Sequence, residues 1–243
     1  MKYQKEFEAA KNIALKVGNF LSSQTVKKIN SEEGKDIKLE LDIESEKNIT
    51  SILTNDFNYA VLGEEKGLTR ELVKNEPYWI VDPIDGTLNF SRDNPACCIS
   101  IAFWKNKDPI FGVIYDFNRD ELFYGYVEVG AWLNKEKLKP HKIKKKKQSI
   151  LATGFPNNMT NDENSLKKFI LQVQEYKKVR IIGSAALSLA YVSCGRFDAY
   201  MENNIKFWDV AAGIAINKVM NNKYEIEYLE NYETNTKVVS TAS

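Results

Sequence analysis

Apolar residues recur along this chain with two different periods. Tyr3, Phe7, Ala10, Ile13, Ala14, Val17, Phe20 and Leu21 follow helical spacing, with lysines and glutamates between them, and predict an amphipathic helix. A polar stretch from Ser31 to Lys38 follows. A weaker helical pattern starts near Asp42 and carries Ile43, Ile49, Ile52 and Leu53. Tyr59 to Leu62 reads as a short buried strand ending at Gly63-Glu64-Glu65, and Tyr78 to Val81 as a second one ending at Asp82. From Cys97 to Leu133 the period becomes two. Ile99, Ile101 and Phe103 alternate with Ser100, Ala102 and Trp104, and Gly112 to Tyr126 reads as a hairpin turning at Asn118-Arg119-Asp120.

His141 to Gln148 contains four consecutive lysines and reads as a joint. It divides a single domain, residues 1–243, into a first lobe, 1–148, and a second, 149–243. The second lobe alternates strand and helix. Strands are predicted at Ile150–Thr153, Val179–Ile182 and Phe197–Met201. Helices are predicted at Glu163–Tyr176, from a Ser184 cap to Gly195, and at Asp209–Met220. The whole predicts a mixed α and β protein with sheets covered by helices.

Composition narrows the chemistry. Of 243 residues, 43% are apolar and 28% charged, which suits a folded domain with a substantial core. Thirty-four basic residues against thirty-three acidic ones leave a net charge of +1, so no global field favours nucleic acid or membrane. The lysine run reads as a solvated connection rather than a nucleic-acid patch. Cys97, Cys98 and Cys194 make no disulfide framework and fit a reducing compartment. His141 is the sole histidine, which excludes a thiolate or imidazole zinc site and any histidine base other than His141 itself. His141 is expected to be exposed and inert. Cys97, Cys98, Trp79, Trp104 and Trp208 are expected to pack in the core, and Trp208 to help fix Asp209. The longest apolar stretch, Ala96 to Trp104, is far too short for a bilayer, and the N-terminus lacks a signal-peptide core. These readings predict a cytoplasmic protein.

The candidate chemistry lies in carboxylates. In Trp79-Ile80-Val81-Asp82-Pro83-Ile84-Asp85-Gly86-Thr87, an apolar strand delivers Asp82, Pro83 keeps it extended, and Asp85-Gly86 permits a tight turn. Asp82, Asp85 and the Ile84 carbonyl can then converge as hard oxygen donors of the kind magnesium takes. A helix beginning at Thr87 would offer free N–H groups to a phosphate oxygen. Each signal alone has a plainer reading: Asp-Pro and Asp-Gly mark turns, Asp209 can cap a helix, and Gly63-Glu64-Glu65 can be a solvated acidic turn.

Their combination is specific. Gly63-Glu64-Glu65 after a strand, Asp82-Pro83-Ile84-Asp85-Gly86-Thr87-Leu88-Asn89-Phe90, Gly154-Phe155-Pro156, Gly183-Ser184-Ala185-Ala186 and Trp208-Asp209-Val210-Ala211-Ala212-Gly213 occur in one order. In that order and spacing the chain resembles the inositol monophosphatase family, magnesium-dependent and lithium-sensitive phosphatases, from about Asp36 to its end. The resemblance implies an α/β (α+β) fold, the layered αβαβα sugar-phosphatase architecture with two helix-covered sheets. It implies two or three Mg2+ per site, a small phosphorylated polyol as substrate, and a homodimer. Glu64, Asp82 and the Ile84 carbonyl correspond to the ligands of one metal, and Asp82, Asp85 and Asp209 to those of another. Thr87 with Glu64 corresponds to the pair that orients the attacking water, with Asp85 beside them. Gly86 and Thr87 would offer N–H groups to phosphate. Ala185 would line the sugar, and Glu202, seven positions before Asp209, would bond its hydroxyls.

The chain also departs from the family pattern. Lys38 and Leu39 replace the usual valine-threonine before Asp42, which leaves the part played by Asp42 open. Lys35 aligns with a family lysine near the active site, and Asn221-Asn222 replaces a double glycine. Histidinol phosphate, fructose 1,6-bisphosphate and an adenosine bisphosphate are alternative substrates within the fold. A regulatory role in a transcription complex is the alternative from another class.

Overall fold

The computed structural model describes residues 1–33, 36–142, 145–155 and 163–240, and of residues 32, 33 and 36–38 the backbone alone. The first amphipathic pattern is α1 (Gln4–Ser22), whose buried face includes Phe7, Ala10, Ile13, Ala14, Val17 and Leu21. The polar stretch after it pairs as an antiparallel ribbon, β1 (Ile29–Glu33) with β2 (Asp36–Leu39). Its apolar residues are too few to announce it by alternation. Lys35, and with it the family lysine, lies outside the described residues.

α2 (Glu40–Asp56) begins before Asp42, because the Asp42 carboxylate caps it, accepting the Leu39 N–H at 2.6 Å. Then follow β3 (Ala60–Gly63), β4 (Gly67–Leu68), β5 (Pro77–Asp85), α3 (Thr87–Ser91), β6 (Cys98–Lys105), β7 (Asp108–Asp116), β8 (Glu121–Tyr126), β9 (Gly130–Leu133) and β10 (Glu136–Lys137). These strands form one eight-stranded sheet in the order β10-β9-β8-β7-β6-β5-β3-β4, antiparallel except where β3 meets β5.

The second half contributes β11 (Ile150–Ala152), α4 (Glu163–Gln174), β12 (Lys178–Arg180), α5 (Ala185–Ser193), β13 (Ala199–Lys206), α6 (Phe207–Val219), β14 (Lys223–Tyr228) and β15 (Glu233–Val239). Its sheet runs β12-β11-β13-β15-β14. The β14–β15 hairpin is not foreseen from sequence. Its Tyr224, Ile226 and Tyr228 are only partly buried among charged residues, and β15 turns Thr234 and Thr236 inward beside Val238.

The layers follow from period two. On β6, Ile99, Ile101 and Phe103 face α1 and α2, whereas Cys98, Ala102 and Trp104 face α5 and α6. Helices α5 and α6 lie between the two sheets, packed against β5 to β8 on one side and β13 to β15 on the other. α4 and the turn after it cover the outer face of the second sheet through Val173 and Tyr176 against Leu151, Ala199 and Met201. The sequence α1/α2, sheet, α5/α6, sheet, α4 is the expected αβαβα arrangement.

Two glycines let α6 approach this closely. A methyl on Gly112 of β7 would lie 2.3 Å from the Ala212 carbonyl oxygen, and one on Gly213 would lie 2.3 Å from the Leu189 Cβ. The Trp104 indole N–H donates to the Ala211 carbonyl at 3.2 Å and fixes the helix on the sheet. Cys97 and Cys98 are buried, as expected. His141 differs from expectation. It is half-buried because it packs against the residues that end α5, its ring 3.1 Å from where a Gly195 Cβ would stand. Among the described residues no helix is long and apolar enough to cross a membrane.

Because the Gly112 contact is backbone against backbone, Gly112→Ala should lower stability by about 1–3 kcal/mol or more in a urea titration. An unchanged unfolding midpoint would show that α6 has room to shift.

Candidate active site

The site forms where β5 loses its regular pairing. Pro83 has no N–H to give the ladder, so the β5–β6 register breaks between Asp82, opposite Ser100, and Asp85, opposite Cys98. The strand therefore does not end at Asp82, as the sequence pattern predicts, but runs on to Asp85 through this irregularity. The Asp82 carboxylate folds back to accept the Ile84 N–H at 3.0 Å. Gly86 follows at φ +90, and a methyl there would lie 2.7 Å from the Ala96 carbonyl oxygen, so this turn needs glycine. The short helix α3 then begins at Thr87, as expected. The Ile84 carbonyl has no strand partner and accepts the Thr87 hydroxyl at 3.0 Å.

Asp209 arrives from the other end of the chain in the first turn of α6. The Ser100 hydroxyl donates to the Trp208 carbonyl at 3.3 Å, tying that turn to the residue opposite Asp82. Trp208 is buried beside it, its ring against Tyr232. Asp82, Asp85 and Asp209 thus each bring a carboxylate oxygen within 4.8 Å of the others. Glu64, in the turn between β3 and β4, is within hydrogen-bonding reach of Asp82.

A cleft of about 620 Å³ joins these groups. It is lined by Glu64, Asp82, Ile84, Asp85, Gly86 and Thr87 with Asp209 and Glu202, and its rim includes Leu88, Phe155 and Ile181. Ala185 stands behind the cleft rather than on its lining: it is buried at the start of α5, and Gly183 takes the lining position. Glu202 accepts the Tyr200 hydroxyl at 3.0 Å. Gly154 leaves room for it: a Cβ there would fall 1.7 Å from a Glu202 carboxylate oxygen and would displace that carboxylate.

Several supports were not legible from sequence. Asp85 accepts the Ser184 hydroxyl at 2.5 Å and the Ala186 N–H at 2.7 Å, so the N-terminus of α5 holds it. The sequence marks Ser184 as a helix cap and as part of the Gly183–Ala186 motif, but not as a partner of Asp85; it also fills the cap role by accepting the Leu187 N–H at 3.2 Å. Asn89 donates to the carbonyls of Ala96 and Ile182, both at 2.8 Å, and so pins α3 to the loop before α5. Asp42 is buried and accepts the Thr87 hydroxyl at 3.3 Å, placing it beside the site despite the altered residues before it.

The electrostatics are one-sided. Among the described residues, no lysine or arginine pairs with Glu64, Asp82, Asp85 or Asp209. Burial, then the charges of Glu65 and Asp42, push Glu64 up to about 8. Burial, then the charge of Glu64, holds Asp82 far above the usual carboxylate range, and the same two causes raise Asp209. Asp85 is raised by burial to about 6 against the opposing hydrogen bonds from Ser184 and Ala186. Burial raises Glu202 to about 7. An all-oxygen donor set with surplus negative charge and no counter-cation fits a hard divalent ion.

Comparison with known proteins identifies the family. The profile of the Inositol monophosphatase family matches residues 2–221. A Nus factor SuhB from Xylella fastidiosa is 42% identical over 65% of this chain and 57% of its own length. An inositol-1-monophosphatase from Synechocystis is 38% identical over 65% of this chain. The chain spans little more than half the length of these two relatives, 57% and 55%. An inositol-1-monophosphatase from Caulobacter vibrioides is 35% identical over 85% of this chain and 82% of its own. The solved inositol monophosphatase from Anabaena (Nostoc) superposes with a TM-score of 0.85 at 31% identity, over 99% of this chain and 92% of that one. Motif order, layered fold and profile therefore converge, and the chain belongs to the inositol monophosphatase family.

Proposed function

We propose that the protein is a magnesium-dependent phosphatase that hydrolyses a small phosphate monoester, an inositol or sugar monophosphate, by direct attack of water, and that it works as a homodimer. The observation that carries this reading is the convergence of Asp82, Asp85 and Asp209 within 4.8 Å in a cleft that also holds Glu64, Thr87 and Glu202. Glu64, Asp82, the Ile84 carbonyl, Asp85 and Asp209 would hold two or three Mg2+ ions. When bound, magnesium supplies positive charge against the phosphate dianion and makes a neighbouring water more acidic.

The remaining work falls to the chain. The Thr87 hydroxyl lies between the Asp42 carboxylate and the Ile84 carbonyl, so its proton is committed to the protein and its lone pairs remain to accept one from water. With Glu64 it would aim that water, and Asp85, tied to the start of α5, would hold the turn that carries Thr87 in place. The Gly86 and Thr87 N–H groups, at the start of α3, would bond a phosphate oxygen. Glu202 and Asp209 would accept substrate hydroxyls, with Ala185 packed behind. The cleft carries no lysine or arginine among the described residues to receive a second phosphate, which favours a monophosphate over fructose 1,6-bisphosphate or an adenosine bisphosphate. Phosphate release from a panel of phosphorylated polyols, histidinol phosphate and bisphosphates, with and without Mg2+, tests this directly.

A second reading is a place in a transcription complex. It is favoured by the name of the 42%-identical Xylella relative and by the exposed Lys145 and Lys147. A gel shift lost on neutralising Lys145, Lys146 and Lys147, with phosphatase turnover intact, would support it.

The metal site makes a pH prediction. A carboxylate with a raised pKa in the folded state binds protons that the unfolded chain releases, so its contribution is complete below pH ~4 and is lost as pH climbs through the folded value. With Asp85 near 6 and Glu64 near 8, the metal-free protein should melt progressively lower from pH 4 to 8. Mg2+ should raise the melting temperature by an amount that grows across the same interval. A magnesium effect that is absent, or flat with pH, contradicts the site. Asp82→Asn and Asp209→Asn should each lose at least ~100-fold in kcat while keeping a cooperative melt; turnover at the wild-type rate in either refutes its assignment.

A further inference from the structure

Glu46 is a buried carboxylate that the proposed reaction leaves without a part. It sits on α2, 1% exposed, and no lysine or arginine pairs with it among the described residues. Its carboxylate points into the turn that carries Glu64. One oxygen accepts the Glu65 N–H at 2.7 Å and the other accepts the Lys66 N–H at 3.0 Å. On the near side of the turn it occupies the place of a side chain: a Cβ on Gly63 would lie 2.5 Å from the Glu46 carboxyl carbon and 2.6 Å from an oxygen. Glu46 therefore touches the residues on both sides of Glu64 and brackets the turn that carries it.

From this geometry we propose that Glu46 is the positioning residue for Glu64: it sets the height of the 63–66 turn over the carboxylate cluster and thereby the affinity of the site for its divalent cation. The physical reason is charge against dipole. Strand β3 ends at Gly63 and β4 begins at Gly67, so N–H groups of the turn between them are left without ladder partners. A buried anion accepting two of them makes charge-assisted hydrogen bonds, stronger and more directional than those from a neutral amide. A glutamine of the same shape can accept one N–H, but its NH2 then faces the second donor. The turn would lose one anchor and tilt Glu64 away from Asp82. Gly63 matters for the same reason, because any side chain there displaces the Glu46 carboxylate.

This inference rests on the metal-dependent phosphatase reading, and one experiment separates the two. Wild-type, Glu46→Gln and Gly63→Ala proteins are compared for the Mg2+ concentration giving half-maximal turnover, for kcat at saturating Mg2+, and, without substrate, for the Mg2+-induced rise in melting temperature. The inference expects Glu46→Gln to raise the half-saturating Mg2+ concentration at least tenfold, to keep kcat within a few-fold, and to shift the magnesium-dependent melting curve to correspondingly higher metal. Gly63→Ala should move in the same direction. Glu46→Asp, charged but shorter, is the fallback where Glu46→Gln does not fold, and should keep a raised metal requirement. A wild type with magnesium-dependent turnover beside variants of unchanged metal dependence overturns the role of Glu46 alone. Variants that lose kcat without any change in metal requirement also overturn it. A wild type with no magnesium-dependent turnover overturns the phosphatase reading and this role with it.

Discussion

Uncompensated negative charge organises this molecule. Three carboxylates approach within 4.8 Å of one another, a fourth joins them, and no protein cation neutralises them among the described residues. At an effective dielectric near 20, two unit charges ~5 Å apart repel by ~3 kcal/mol. A domain whose net stability is only about 5–15 kcal/mol cannot leave several such pairs ionised without relief. Relief comes from protons, which the raised pKa values express, or from a divalent cation. The cluster persists because its members are held by structure formed elsewhere: the Pro83 break in β5, the start of α5 on Asp85, and the Ser100 bond that fixes the first turn of α6.

The layered fold explains why these members come from such distant parts of the chain. Helix α6 is clamped between two sheets; it approaches the first closely because Gly112 carries no side chain, and α5 closely because Gly213 carries none. Its first turn is thus as rigid as the sheet beneath it, and Asp209 inherits that rigidity. Asp82 and Asp85 sit on a strand buried along its whole length. Glu64 alone stands on a turn, and that turn is the one gripped by a buried acid from α2. Groups that must meet within tenths of an ångström are carried by rigid elements or braced by them.

Much of this could be read from sequence because the strongest signals are periodic or local. The α1 stripe, the alternation along β6, and the Asp-Pro-Ile-Asp-Gly-Thr turn each follow from neighbouring residues. The family resemblance then connected Glu64 and Asp209 to that turn. What remained hidden depends on contacts across the fold. Glu46 looks like an ordinary polar residue of a helix, and Ser184 and Asn89 stand in family motifs without showing their partners, until α2, α5 and α3 are placed around the cleft. The β14–β15 hairpin escaped because half-buried tyrosines among charges and inward threonines blur alternation. The half-buried position of His141 follows from its contact with Gly195 at the end of α5, which no local pattern encodes. Asp42 was left open because the residues before it depart from the family, yet its contact with Thr87 depends on α2 as a whole.

The central claim is that Asp82, Asp85 and Asp209 form one divalent-cation site. Diffraction from crystals soaked in Mn2+, a hard ion with an anomalous signal, reads this without recourse to activity. The account predicts an anomalous peak within bonding distance of all three aspartates, removed by Asp209→Asn. A crystal with saturating Mn2+ and no density between these carboxylates, the side chains instead sharing protons, would contradict it.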